Sequence, residues 1–198
     1  MTSPRSTPRI VLASTSRYRA ELLCRLLPDF EQAAPGTDEA PLPGEAPAAR
    51  ALRLAIAKAE AVARNRKDAL VIGSDQVAEL DGQVLDKPGS AERACAQLAA
   101  SSGREVRFHT ALCLLDTRDG RRHTHLDHTH AQFRELDAAA IARYVEREQP
   151  LDCAGSFKCE GLGISLFKAI DSHDPSALIG LPLIALAQLL REAGIELP

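Results

Sequence analysis

The run ALVIGSDQVAELDGQVLDKP at residues 69–88 constrains the fold more than any other stretch of the chain. It opens with the apolar segment 69–72, which predicts a buried strand. Gly73 then allows a close approach of the backbone, and Ser74, Asp75 and Gln76 place three polar side chains at the strand's end. Residues 77–80 return to apolar character, and Asp81-Gly82 is the dipeptide that turns a hairpin. The return arm delivers Asp86, Lys87 and Pro88. Such a hairpin holds Asp75 and Lys87 on one rigid frame, where an anion and a cation can face a single cleft. Unpaired polar groups are costly to bury, so either Asp75 and Gln76 are paired or the hairpin is a capped turn with a surface lysine.

Upstream, residues 9–13 (RIVLA) predict a strand that ends in the hydroxyl-rich, basic turn Ser14-Thr15-Ser16-Arg17-Tyr18-Arg19. Leu22, Leu23, Leu26 and Leu27 then form one helical stripe, with Ser16 as its N-cap. A strand, a turn and a helix start with arginines alongside suit an anion such as phosphate. The turn lacks the glycines of a nucleotide-cradling loop. An ordinary capped helix with solvated arginines is the alternative.

Residues 30–34 predict a second strand, followed by a proline-bracketed loop that carries Asp38 and Glu39. A long helix is expected over 47–67, its stripe built from Leu52, Ala55, Ile56, Ala59, Val62 and Ala63, with Lys58 at the stripe's edge. Further helices are expected over 90–101 and 137–148, separated by strands over 104–115 and 121–133. Residues 151–167 are punctuated by Gly155, Gly161 and Gly163, with Ser156, Lys158 and Glu160 alternating on one face. A last helix covers 183–191. The pattern is that of one α/β domain over 1–198, a mixed twisted sheet flanked by helices, with residues 1–8 as a flexible tail.

Bulk properties narrow the function. A net charge of −3 gives no reason to expect nucleic acid or an anionic membrane as partner. Five cysteines, an odd number with no CxxC pair, argue for reduced thiols and a cytoplasmic setting. No signal peptide or membrane span is predicted. His123, His125, His128 and His130 share strand faces in i, i+2 pairs, an arrangement able to hold a metal but on an arm that reads as exposed.

In order along the chain, LASTSRYR at 12–19, TDE at 37–39, KA at 58–59, GSDQV at 73–77, DKP at 86–88, FRELD at 133–137, AGSFKCEGLG at 154–163 and GLPL at 180–183 resemble the Maf-type nucleoside triphosphate pyrophosphatases. The resemblance implies an ITPase-like fold of two lobes around a central cleft. It also implies hydrolysis between the α- and β-phosphates of a nucleotide with Mg²⁺ or Mn²⁺. Residue by residue, it implies phosphate binding by Ser14, Ser16 and Arg19, and metal or water handling by Glu39 and Asp75, with Asp75 as proton acceptor. Lys58 and Lys87 would neutralise phosphate charge. A homodimer is expected only at the level of the family.

Three positions point to a subgroup. Members acting on dTTP and UTP typically carry a small or basic residue, Thr and Gln where this chain has Tyr18, Gln76 and Glu160. The combination present here is similar to the 7-methyl-GTP subgroup, which forms 7-methyl-GMP and diphosphate. The chemistry agrees, because an aromatic face attracts a cationic base and a carboxylate accepts from the N1–H and 2-amino group of guanine. Tyr18 is therefore expected to stack, Glu160 to read the base, and Gln76 to shape the pocket. The subgroup often shows Pro, Trp and Arg where this chain has Arg17, Tyr18 and Ala20, which weakens the aromatic face. A dTTP/UTP or broad-specificity pyrophosphatase, and a non-catalytic regulator of cell division, are the competing expectations.

Overall fold

The computed structural model describes residues 8–198; the tail expected over 1–8 lies, but for Pro8, outside the described residues. Seven strands form one mixed sheet in the order β2-β1-β3-β5-β6-β7, with β4 paired to β3 off that path. In the chain they are β1 (Arg9–Leu12), β2 (Glu31–Gln32), β3 (Ala69–Leu80), β4 (Gln83–Val84), β5 (Glu105–Asp116), β6 (Arg122–Phe133) and β7 (Phe167–Ser172). The helices are α1 (Arg17–Leu23), α2 (Pro47–Ala63), α3 (Ala91–Ser101), α4 (Ala138–Glu148) and α5 (Leu183–Glu192). β1 runs parallel to β2 and β3, whereas each neighbouring pair along β3-β5-β6-β7 is antiparallel.

Alternation along β3 assigns the layers, because successive side chains leave opposite faces of a strand. Val71 and Val77 join the cluster under α2, with Ala51, Ala55 and Ala59. Leu70 and Ile72 point the other way, into a cluster with Leu22 and Leu23 of α1 and Leu186 and Leu190 of α5. Ala78 and Leu80, on that second face but further along, pack with Leu98 of α3 and Ile141 and Tyr144 of α4. One face thus carries two separate cores on a shared strand. These are the two lobes.

Gly73 allows α2 to lie close on the sheet. A Cβ at this position would stand 2.8 Å from the Ala59 backbone nitrogen and closer still to the Ala55 carbonyl oxygen. Asp81 (φ 48°) and Gly82 (φ 82°) take the left-handed conformations of the expected tight turn. Ser16, Ser90 and Asp137 cap their helices by accepting from Arg19, Arg93 and Ala140 backbone N–H groups.

Several expectations need correction. β3 is a continuous strand of twelve residues, so Ser74–Gln76 lie in its middle and not at its end. The second strand shrinks to two residues, and α2 stops at Ala63, four residues early. Ser156, Lys158 and Glu160 do not alternate on a strand. Their segment is irregular, with short 3₁₀ turns at Ala154–Ser156 and Leu162–Leu166, and Gly155 (φ 71°) and Ser156 (φ 60°) break any extended run. β7 was not anticipated, because half-exposed FKAIDS gives a weak alternating signal at a sheet edge.

Candidate active site

The cleft forms at a notch in one edge of β3. Along that edge β1 pairs only as far as Leu12 opposite Ile72, and β4 pairs opposite Glu79 and Leu80. Two further backbone bonds extend the pairing, Ala13 N–H to Ile72 O and Leu85 N–H to Ala78 O. Between them, Ser74–Val77 has no strand alongside among the described residues. The chain leaving β1 supplies Ser14 to Arg19 on one side, and the chain leaving β4 supplies Lys87 on the other. This lies beyond the carboxyl end of the parallel strand β1, where α/β sheets commonly bind ligands. The cleft measures about 420 Å³, within the usual range for small-molecule sites, about 300–1,000 Å³.

At its base, Lys58 Nζ donates to Asp75 Oδ1 at 2.6 Å and to Glu39 Oε1 at 2.6 Å. Lys58 and Asp75 are buried, and Glu39 arrives from an exposed loop. Burial pushes the Glu39 carboxyl up, but hydrogen bonding and charge from Lys58, with Lys87 and Arg19 behind, outweigh it and hold Glu39 below its ordinary value. Arg19 stands half-buried beside them. Desolvation lowers its pKa, and the charges of Asp75 and Glu39 oppose that shift.

The expected residues mostly converge. Ser14, Ser16, Tyr18, Arg19, Glu39, Lys58, Gln76, Lys87 and Glu160 all line the cleft, and Asp75 lines its adjoining floor with Lys58 and Lys87. Lys87 shares the space without an ion pair among the described residues. Ser14 Oγ accepts from the Ser16 N–H at 3.1 Å and from Arg19 at 3.5 Å. Glu160 reaches the cleft from the irregular segment after α4, and partial burial pushes its carboxyl up. Tyr18 has company: the Arg17 guanidinium lies 4.7 Å from its ring centroid and donates to its hydroxyl at 3.0 Å.

Gln76 holds the wall in place. Its amide donates to Thr110 Oγ1 and to the Ala177 and Leu178 carbonyls, each at 3.0 Å. Arg19 Nε and Ser74 Oγ donate to the Gly180 carbonyl, at 2.8 and 2.9 Å. The cleft-lining turn at 177–180 is thereby tied to β3, β5 and α1. Lys158 lies outside the cleft, donating to the Glu148 and Gln149 carbonyls at the end of α4.

Other residues that build the site carried no recognised signal. Arg50 donates to the Glu39 carbonyl at 3.2 Å and pairs with Asp86 at 3.0 Å, joining the Glu39 loop to the Lys87 segment. Arg53 grips Glu45 with two nitrogens, at 2.5 and 2.7 Å, and the Ala40 carbonyl at 3.1 Å. Their i, i+3 spacing on α2, facing an acidic loop, was the available clue.

The donor set suits a divalent cation. Glu39 and Asp75 direct hard carboxylate oxygens at one point, currently around the Lys58 ammonium. Among the described residues no group of three or more His, Cys, Asp or Glu side chains gathers. Mg²⁺ typically uses one or two carboxylates and completes its shell with substrate phosphates and water. No helix among the described residues is long and apolar enough to cross a membrane.

Comparison with known proteins is consistent along the chain. The family described as "Maf-like protein" matches residues 9–193. A 7-methyl-GTP pyrophosphatase of Xanthomonas oryzae pv. oryzae is 61% identical over 192 residues, 96% of this chain and 100% of its own length. Proteins of the same name are 56% identical in Burkholderia thailandensis, covering 97% of this chain and 91% of theirs, and 54% identical in Thiobacillus denitrificans, covering 97% and 96%. The solved Ham1 protein of Staphylococcus aureus, 20% identical, superposes at a TM-score of 0.43 over 63% of this chain and 71% of its own, too distant to argue from.

Proposed function

The chain belongs to the Maf-like family, and on that premise we propose that it is a nucleoside triphosphate pyrophosphatase converting 7-methyl-GTP to 7-methyl-GMP and diphosphate. One observation carries the chemistry. Two carboxylates and two lysines face a nucleotide-sized cleft that a third cation, half-buried Arg19, also lines. Phosphoryl transfer needs cations around the equatorial oxygens, an oriented water and a carboxylate near that water.

Asp75 uses one oxygen to accept from Lys58, and its other oxygen has no hydrogen-bond partner among the described residues. That second oxygen takes the proton of the attacking water. Lys58, Lys87 and Arg19 offset the triphosphate's charge, and Ser14 and Ser16 position it. Glu39 and Asp75 would hold Mg²⁺ or Mn²⁺, which would supply charge stabilisation at the phosphoryl oxygens. Tyr18 and Glu160, both lining the cleft, supply an aromatic face and a carboxylate for a cationic guanine. A cytoplasmic setting and a free nucleotide as the substrate follow from this reading.

The test is diphosphate release from 7-methyl-GTP, GTP, UTP and dTTP with Mg²⁺, for wild type and Asp75→Asn. A preference for 7-methyl-GTP, lost with total activity in the variant, is expected. Faster turnover of UTP and dTTP would leave the chemistry standing and overturn the roles given to Tyr18 and Glu160. A folded protein inactive on all four would favour a binding role.

A further inference from the structure

The histidine-rich arm gains a different meaning from the register of the sheet. His128 on β6 lies directly opposite His109 on β5, and the two Nδ1 atoms stand 2.9 Å apart. The rings meet edge to face, with centroids 5.0 Å apart. His109 is buried, and its Nε2 is 2.6 Å from Glu79 Oε2 on β3. Glu79 is itself held, since its other oxygen accepts from the Gly82 N–H at 3.1 Å. A carboxylate accepting from Nε2–H fixes the tautomer, which leaves the Nδ1 lone pair of His109 directed towards His128.

We propose that His109 and His128, oriented by Glu79, form a transition-metal site separate from the cleft, for a cation that favours tetragonal nitrogen ligation such as Cu²⁺ or Ni²⁺. The separation, that of a ring-to-ring hydrogen bond in the free protein, also matches right-angled ligation. With metal–nitrogen bonds of about 2.0–2.1 Å, nitrogens 2.9 Å apart subtend roughly 90° at the metal. Tetrahedral Zn²⁺ would need about 3.3–3.4 Å between them. Right-angled nitrogen ligands are those of square-planar and tetragonal sites, and water fills the remaining positions.

The surroundings permit it. In the free protein His128 Nδ1 donates its hydrogen to His109 Nδ1, and metal binding moves that hydrogen to Nε2 of the same exposed ring, so the imidazole stays neutral and frees the Nδ1 lone pair. Arg107, opposite Glu79 in the register of β3 and β5, is engaged by Glu105, which also meets His130. None of Glu79, His109 and His128 lines the cleft. Glu79 is four residues beyond Asp75 on the same face of β3, about 13 Å along the strand. The site joins β3, β5 and β6, so a bound ion staples three strands. His123 and His125, the other half of the arm, take no part.

The experiment is Cu²⁺ titration of the full chain followed by electron paramagnetic resonance, with thermal melts alongside. Wild type and His125→Ala are expected to bind one equivalent with hyperfine splitting from two nitrogens, and to melt at higher temperature when loaded. His128→Ala, an exposed position whose fold is checked by circular dichroism, is expected to lose at least about tenfold in affinity, together with the two-nitrogen signal. Glu79→Gln is expected to weaken binding by about 10–100-fold. Cu²⁺ bound with an all-oxygen signal, or equally well by His128→Ala, would show an imidazole–imidazole hydrogen bond only and overturn the site. Nucleotide hydrolysis enters none of these readouts.

Discussion

The ammonium of Lys58 stands 2.6 Å from Asp75 Oδ1, and the two residues are only 5% and 7% exposed. Removing one member of a buried pair strands the other, at a cost of about 3–5 kcal/mol. Lys58→Met, which keeps the length of the side chain, is therefore expected to lower stability by about that amount in denaturant melts. Asp75→Asn keeps an oxygen for Lys58 but has no basic carboxylate. Its melt should move less, while kcat falls by about 10²–10⁴. A fully active Asp75→Asn would remove Asp75 as the base.

Gly73→Ala tests how closely α2 must approach. The added methyl meets backbone atoms of Ala55 and Ala59, which cannot rotate away. We expect about 1–3 kcal/mol of destabilisation from overpacking. Since α2 carries Lys58, turnover should fall beyond what the unfolded fraction explains. A variant with wild-type melt and rate would show that α2 is free to shift.

Gln76→Ala should loosen the turn at 177–180. The Leu178 carbonyl loses the only hydrogen bond recorded to it among the described residues, and an unmade buried bond costs about 1–3 kcal/mol. Faster amide exchange across 177–180 and a raised KM, with kcat less affected, are expected. Unchanged exchange there would show that Arg19 and Ser74 suffice to hold it.

Arg17 occupies the aromatic face that a cationic base would use. Arg17→Ala is expected to raise the preference for 7-methyl-GTP over GTP, and Tyr18→Ala to abolish it. A cation–π contact of about 0.5–2 kcal/mol corresponds to roughly 2–30-fold. Identical ratios in the wild type and both variants would place the base elsewhere.

Partial burial raises the Glu160 carboxyl above its ordinary value. As pH falls, Glu160 therefore takes up its proton earlier than an ordinary carboxylate and stops accepting from the guanine edge. The ratio of kcat/KM for 7-methyl-GTP to that for UTP should decline on the acid side, and Glu160→Gln should flatten the decline. The linkage to stability has the opposite sense. Within the window between the ordinary and raised values the native state holds more protons than the unfolded chain, so this group's contribution diminishes as pH rises. An acid limb that persists in Glu160→Gln would assign it to another group.

Local chemistry was legible from the residues alone. Asp81-Gly82 turned the hairpin because both positions need left-handed backbone, and Ser16, Ser90 and Asp137 capped helices because their oxygens reach the first free N–H groups. The order of the motifs, from LASTSRYR to GLPL, points to the candidate site by residue identity. These signals are short-range or are carried by residue identity.

What only the tertiary structure decided depends on partners distant in sequence. Asp75 and Gln76 sit in mid-strand, and what makes them tolerable is Lys58 on α2 and the Ala177 and Leu178 carbonyls, about a hundred residues away from Gln76. The edge notch in β3 exists because β1 ends and β4 begins at particular registers. His128 faces His109 and not its neighbours in the arm for the same reason. Periodicity determines which side of a strand a residue takes. Register, set by the packing of whole layers, determines whom it meets there.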